Sequence, residues 1–225
     1  MASLAFTYVT TNVIGPGTSE EQFEEILYGC DCSKECSTES GCSCLSFGQN
    51  YDSIGRLVAL IDKSANAVPS VIECGKSCSC KKACSVKCTN RVAQNGINVP
   101  LEVFATSDAR GYGLKTLHPL IKGQFVCEYA GEIISYEAAE SLLRNLDADL
   151  SKSNYIFNLK EILHNGEKIQ TLVDATRKAN LGRFINHSCQ PNLCVVPVRY
   201  DFIVPHLGLF CTRDVQAGEE LCYDY

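Results

Sequence analysis

Residues 30–44 read Cys-Asp-Cys-Ser-Lys-Glu-Cys-Ser-Thr-Glu-Ser-Gly-Cys-Ser-Cys, and residues 74–92 read Cys-Gly-Lys-Ser-Cys-Ser-Cys-Lys-Lys-Ala-Cys-Ser-Val-Lys-Cys-Thr-Asn-Arg-Val. Ten cysteines thus fall in two bursts: Cys30, Cys32, Cys36, Cys42 and Cys44, then Cys74, Cys78, Cys80, Cys84 and Cys88. The C-x-C pairs are the informative detail. Cysteines two apart are poorly placed to bond to each other, whereas both thiolates can reach one metal site. The pattern is denser than the paired C-x2-4-C of an isolated four-cysteine zinc site. Nine thiolates saturate three tetrahedral zinc ions when three of them bridge. The excess negative charge can be offset by Lys34, Lys76, Lys81, Lys82, Lys87 and Arg91, which lie among the ligands. A saturated thiolate site leaves no open position for substrate, so this front is expected to be a metal staple whose binding energy is folding energy.

Working outward, the composition of the 225 residues is that of a globular chain, 45% hydrophobic and 20% charged. No apolar run approaches the ~18 residues of a membrane span. The stretch Met1 to Gly17 lacks the basic start and apolar core of a secretory signal. A soluble intracellular protein with no membrane partner is expected, which also disfavours a disulfide scaffold. The net charge of −6 argues against a duplex-DNA binder. It suits a basic partner, or only keeps the protein soluble.

The other five cysteines, Cys127, Cys189, Cys194, Cys211 and Cys222, are scattered through a stretch of different character. Segments 101–106, 124–129, 154–159, 170–173, 193–199 and 208–212 have the length and β-branched or aromatic content of strands, with Gly, Pro, Asn or Asp between them. Asn165-Gly166 marks a hairpin turn. Only Ser135 to about Leu150 reads as a helix, capped by Ser135, with Ala138, Leu142, Leu146 and Leu150 on one face. The expectation is a mostly β fold of several short sheets with few helices, preceded by a cysteine-rich region around a three-zinc cluster.

Three segments carry the candidate chemistry. Arg110-Gly111-Tyr112-Gly113-Leu114 lets backbone approach a ligand closely. Residues 183–192, Arg-Phe-Ile-Asn-His-Ser-Cys-Gln-Pro-Asn, pack hydrogen-bonding side chains behind an apolar approach. Residues 220–225, Glu-Leu-Cys-Tyr-Asp-Tyr, place Tyr223 and Tyr225 on one face of a strand.

In this order the cysteine pattern and the following Asn90-Arg91-Val92 resemble the pre-SET region of Suv39-type histone-lysine methyltransferases, and the three later segments resemble the SET-domain signatures. Residues 126–132 and 154–157 match as well, and Val13-Ile14-Gly15-Pro16-Gly17 resembles the lead-in of the branch fused to a mariner transposase. The resemblance implies a lead-in over 1–25, a pre-SET region over 26–92 and a SET domain over 93–225. One departure concerns the last cysteine: Cys84 keeps the family's spacing while Cys88 keeps its neighbours, giving ten candidates for nine places. Cys88 is preferred and Cys84 stays open.

What the resemblance implies for function is transfer of a methyl group from S-adenosylmethionine to a lysine of a histone tail, that of histone H3, on nucleosomes in nuclear chromatin. No sequence-specific DNA reading is expected. Arg110, Gly111, Tyr112, Tyr155, Arg183, Asn186 and His187 would hold the cofactor. Tyr129 and Tyr155 would line the lysine channel, Tyr225 would stand beside the transferring methyl, and Tyr223 would restrict the product to mono- or dimethyl-lysine. Relatives carry a post-SET segment whose cysteines join the counterpart of Cys189 on a further zinc. The sequence as given stops at Tyr225, so Cys189 is expected to hold that zinc only if the segment is supplied. A weakly active or inactive chromatin-binding module is the alternative expectation.

Overall fold

The computed structural model describes residues 5–33, 35–61, 70–82, 88–108, 110–147, 153–162 and 166–225. Among these the strands are short: β1 (Thr7–Tyr8), β2 (Val13–Ile14), β3 (Val71–Ile72), β4 (Leu101–Ala105), β5 (Tyr112–Thr116), β6 (Phe125–Tyr129), β7 (Glu132–Ile134), β8 (Ile156–Ile162), β9 (Lys168–Asp174), β10 (Lys178–Ala179), β11 (Asn186–His187), β12 (Leu193–Arg199), β13 (His206–Cys211) and β14 (Cys222–Tyr223). Helices α1 (Glu20–Phe23), α2 (Val58–Ile61) and α3 (Ser79–Lys82) are single turns, and α4 (Tyr136–Asp147) is the one long helix described. The mostly β expectation stands.

Two four-stranded sheets, β3-β12-β13-β6 and β2-β7-β9-β8, carry the core, and the pairs β1-β10, β4-β5 and β11-β14 complete the sheets. All five residues of β6 are buried, as expected of a strand covered on both faces. Its Cys127, together with Cys211 of β13, packs among Val126, Leu207 and Leu209. Those two scattered cysteines serve as small core hydrophobes. Helix α4 begins where Ser135 Oγ accepts from the Ala138 N–H at 3.2 Å. Ala138, Ala139 and Leu142 pack on Ile134 and Leu172. Leu150 and Asn165 lie outside the described residues, but β8 and β9 pair antiparallel with Ile162 opposite Lys168, the hairpin the Asn165-Gly166 turn implies.

A buried carboxylate fastens the cysteine-rich front to the turn that leads into the later strands. Glu73, 1% exposed, accepts from Tyr51 Oη at 2.6 Å, from the backbone N–H groups of Val92, Ala93 and Gln94 at 2.8, 2.7 and 3.1 Å, and from Gln94 Nε2 at 3.0 Å. It caps the 3-10 turn Ala93–Asn95, whose first N–H groups have no partner within the turn.

Candidate functional site

Two centres emerge. In the first, nine thiols, those of Cys30, Cys32, Cys36, Cys42, Cys44, Cys74, Cys78, Cys80 and Cys88, gather in one cluster. Sulfur–sulfur distances are 3.9 Å for Cys30–Cys36, 3.8 Å for Cys30–Cys80, 3.6 Å for Cys44–Cys78 and 3.9 Å for Cys36–Cys74. Three sets of four bring their Sγ atoms within 4.8 Å of one another: Cys30, Cys36, Cys74 and Cys80; Cys30, Cys32, Cys36 and Cys42; Cys30, Cys42, Cys44 and Cys74. Neighbouring sets share thiols, as bridging ligands require, and Cys30 belongs to all three. Polar groups reach the sulfurs from outside: Arg91 Nη2 donates to Cys80 at 3.2 Å and Asn90 Nδ2 to Cys74 at 3.4 Å. All-thiolate donors at this spacing fit a polynuclear soft-metal site, with zinc the first candidate. Cys84 lies outside the described residues.

The second centre is a cleft of about 700 Å³, lined by aromatic rings and a few polar groups. Arg110, Tyr112, Tyr129, Tyr155, Arg183, Asn186, Tyr223 and Tyr225 all reach it. Gly111 forms the turn behind it at φ 83°, a conformation that suits glycine. His187 stands at its edge, its Nδ1 accepting from the Tyr225 N–H at 3.2 Å and its ring 5.4 Å from that of Tyr225. Its Nε2 is 3.3 Å from the exposed Cys189 thiol.

These residues, far apart in sequence, meet because β11 pairs in parallel with β14, Asn186 opposite Cys222 and His187 opposite Tyr223. The Ser188 N–H adds a bond to the Tyr223 carbonyl at 3.0 Å. Asn192 Oδ1 accepts from the Cys222 N–H at 2.9 Å, so the residues after β11 also hold the C-terminal strand. Asn186 Nδ2 donates to the Tyr112 carbonyl at 3.1 Å and to Glu220 Oε1 at 2.8 Å. Arg110 Nη1 donates to the same Glu220 oxygen at 3.0 Å, and its Nε to Asp108 at 2.9 Å. Asp108 and Glu220 hold the Arg110 guanidinium protonated even more firmly than usual. Much of its charge is therefore answered within the turn.

Arg183 is different. It is 7% exposed, and its Nε and Nη1 have no hydrogen-bond partner among the described residues. The guanidinium carbon lies 4.3 Å from the Tyr155 ring centroid and 4.5 Å from that of Phe6. A buried cation with unspent donors is costly unless an acceptor arrives. The cleft thus offers a site for an anionic group.

Beyond Arg183 the cleft narrows between rings. Tyr223 lies 6.0 Å from Phe157, 6.5 Å from Tyr129 and 4.8 Å from Tyr225. Tyr129 Oη donates to the Tyr155 carbonyl at 2.7 Å, and Tyr225 Oη to the Ile185 carbonyl at 2.8 Å. Burial, with neighbouring phenols, pushes the Tyr129 and Tyr223 hydroxyls well up. Both stay neutral, so this end offers polar oxygen without charge. Sequence reasoning placed no role on Phe6, Phe157, Phe184, Asp108 or Glu220. For Glu220 the signal was an acid directly before the Leu-Cys-Tyr run of residues 221–223.

Comparison with known proteins follows this geometry. The family model described as SET domain matches residues 111–225, and that described as Pre-SET motif matches 2–91. The chain is 41% identical to Histone-lysine N-methyltransferase SETMAR of Homo sapiens over 224 residues, 100% of this chain and 32% of that protein. It is 41% identical to SETMAR of Mus musculus, covering 98% of this chain and 69% of that protein. The crystal structure of the methyltransferase domain of human SETMAR superposes with a TM-score of 0.82 at 39% identity, over 100% of this chain and 77% of that one. That of KRYPTONITE in complex with mCHH DNA, H3(1-15) peptide and SAH superposes with a TM-score of 0.71 at 28% identity, over 98% and 41%.

Proposed function

We propose that this chain, which belongs to the SET-domain family through a SET domain preceded by a Pre-SET motif, is a histone-lysine N-methyltransferase. It uses S-adenosylmethionine, acts on a lysine of the histone H3 tail and stops at the mono- or dimethyl product. The observation that carries this reading is one cleft in which a buried guanidinium with unspent donors opens onto a neutral, tyrosine-lined channel. The KRYPTONITE relative was solved with an H3 peptide and SAH together, which supports the same pair of ligands here.

S-adenosylmethionine, when bound, supplies a methyl group already activated by its sulfonium, so no covalent protein intermediate is needed. The free Nε and Nη1 of Arg183 suit its carboxylate. The Arg110–Tyr112 turn, Asn186 and His187 frame the same pocket, and Tyr155 covers the Arg183 cation. Tyr129, Phe157 and Tyr223 wall the lysine channel. Their apolar faces disfavour an ammonium and lower its pKa from about 10.4, so that the amine enters as the neutral nucleophile. Tyr225, its O–H donating to the Ile185 carbonyl, keeps oxygen lone pairs for a polarised C–H group. Holding donor and amine in line is the main contribution such a site makes. The Tyr223 hydroxyl takes up room, directly or through a water, that a trimethyl-ammonium would need.

Cys30, Cys32, Cys36, Cys42, Cys44, Cys74, Cys78, Cys80 and Cys88 would hold three zinc ions as a structural staple. We assign the lead-in to 1–25, the pre-SET region to 26–92 and the SET domain to 93–225, and place the protein at nucleosomes in the nucleus. The test is incubation of the zinc-loaded chain with labelled S-adenosylmethionine and core histones or nucleosomes. Label on H3 lysine is the expected result. Donor binding without transfer to any histone would overturn the enzyme reading in favour of a chromatin-binding module.

A further inference from the structure

Phe6 lies in the lead-in, well before the residues matched as the SET domain, yet its ring belongs to the wall of the Arg183 guanidinium. The route is short in space. Strand β1 pairs in parallel with β10, Thr7 opposite Lys178 and Tyr8 opposite Ala179. The Thr7 N–H donates to the Arg177 carbonyl at 2.8 Å and the Val9 N–H to the Ala179 carbonyl at 2.9 Å. The next residue, Asn180, accepts from the Gly182 N–H at 2.9 Å and so caps the 3-10 turn Leu181–Phe184 that carries Arg183. Asn180 Nδ2 also donates to the Glu128 carbonyl at 2.7 Å, tying this turn to the fully buried strand β6. The pairing therefore fixes Phe6 relative to Arg183 through a few rigid bonds. It sets the Phe6 ring edge-on to Phe184 at 5.9 Å and beneath the guanidinium carbon at 4.5 Å.

Ring faces hold this cation, Tyr155 at 4.3 Å, Phe6 at 4.5 Å and Phe184 at 5.5 Å, while Nε and Nη1 have no partner among the described residues. An arginine held by ring faces keeps its N–H groups free for a ligand, whereas one held by a carboxylate, as Arg110 is, spends them. From this contrast we propose that Phe6 is a positioning residue of the methyl-donor pocket, acting through Arg183. The lead-in segment is thereby a functional part of the site as well as an attachment to the fold. The proposal rests on the assignment of the cleft to S-adenosylmethionine.

The experiment compares Phe6→Leu and Phe6→Tyr with the unaltered zinc-loaded protein. Leucine keeps apolar volume and removes the ring face; tyrosine restores the face. Calorimetric binding of S-adenosylmethionine and of its demethylated product, H3-peptide KM and thermal midpoint are measured together. Phe6→Leu should weaken donor and product binding roughly 3- to 30-fold, the range of a partly desolvated cation–ring contact. The peptide KM and thermal midpoint should stay where they were, and Phe6→Tyr should recover donor binding to within about twofold of the original. Unchanged donor affinity in Phe6→Leu overturns the proposal, as does a loss that falls equally on donor and peptide together with a lowered midpoint, which is the mark of a packing residue. Failure of the unaltered protein to bind either compound would sink the donor-pocket assignment itself, a result distinct from both.

Discussion

Asn186 and Glu220 are joined by a 2.8 Å hydrogen bond across the parallel strand pair, and the accepting oxygen is the one that also receives Arg110. One carboxylate oxygen thus ties the glycine turn, the asparagine segment and the C-terminal strand. Gly113 makes room for it, since a Cβ there would lie 2.9 Å from Glu220 Oε1.

Glu220→Ala should release both partners and weaken S-adenosylmethionine binding roughly 10- to 100-fold, the worth of about one charge-assisted hydrogen bond. Glu220→Gln keeps an accepting oxygen for Asn186 and should retain most of the affinity. Isothermal titration decides it, and equal affinities for all three proteins would refute the tie.

The Tyr223 hydroxyl sits on a side chain only 5% exposed, between Phe157 and Tyr225. Tyr223→Phe should shift the product on an H3 peptide toward trimethyl-lysine with the fold intact, because the hydroxyl contributes at most about 1 kcal/mol. Mass spectra of the peptide over time are the measurement. Mainly trimethyl product from the unaltered protein would contradict the assignment.

The thiol cluster makes a graded prediction. Native mass measurement should find three zinc ions, and chelation should unfold the cysteine-rich front. Cys30 belongs to all three candidate tetrads while Cys32 belongs to one and is partly exposed. Cys30→Ser should therefore lose more metal and more folded protein than Cys32→Ser. Equal zinc content in the two variants would argue against Cys30 as a bridging thiol.

Glu73 offers a stability test away from the cleft. Glu73→Ala leaves Tyr51 Oη and three backbone N–H groups without their acceptor. Each such buried donor costs about 1–3 kcal/mol, so unfolding in denaturant should show a loss of at least about 3 kcal/mol. A change below about 1 kcal/mol would mean that water replaces the carboxylate.

Much of this molecule was legible before its coordinates. The strand over 193–199 is found at those bounds, and 101–106, 124–129, 154–159, 170–173 and 208–212 each hold a strand with shifted ends. Strand β5 was hidden because its Gly113 reads as part of a turn, whereas the glycine is there for the close approach of Glu220 and Phe104. Strand β7 was hidden for a similar reason: Gly131 lets the chain pass within 2.4 Å, measured from a would-be Cβ, of the Asp174 carbonyl. The choice between Cys84 and Cys88 is settled only so far as Cys88 lies in the cluster. Eight of the expected cleft residues, named through the resemblance to the SET-domain signatures, line one cavity. What no local pattern discloses is partnership at a distance. Glu73 with Val92, Glu220 with Asn186 and Phe6 with Arg183 all depend on which strands lie side by side.

The pairing of Asn186 and His187 with Cys222 and Tyr223 also sets a timetable. The segments that meet there are far apart in sequence, whereas the hairpin of β8 and β9 joins near neighbours. Local hairpins close their short loops first, and long-range pairings follow because they cost more chain entropy. The cleft is therefore expected to form late, on a core that has already folded.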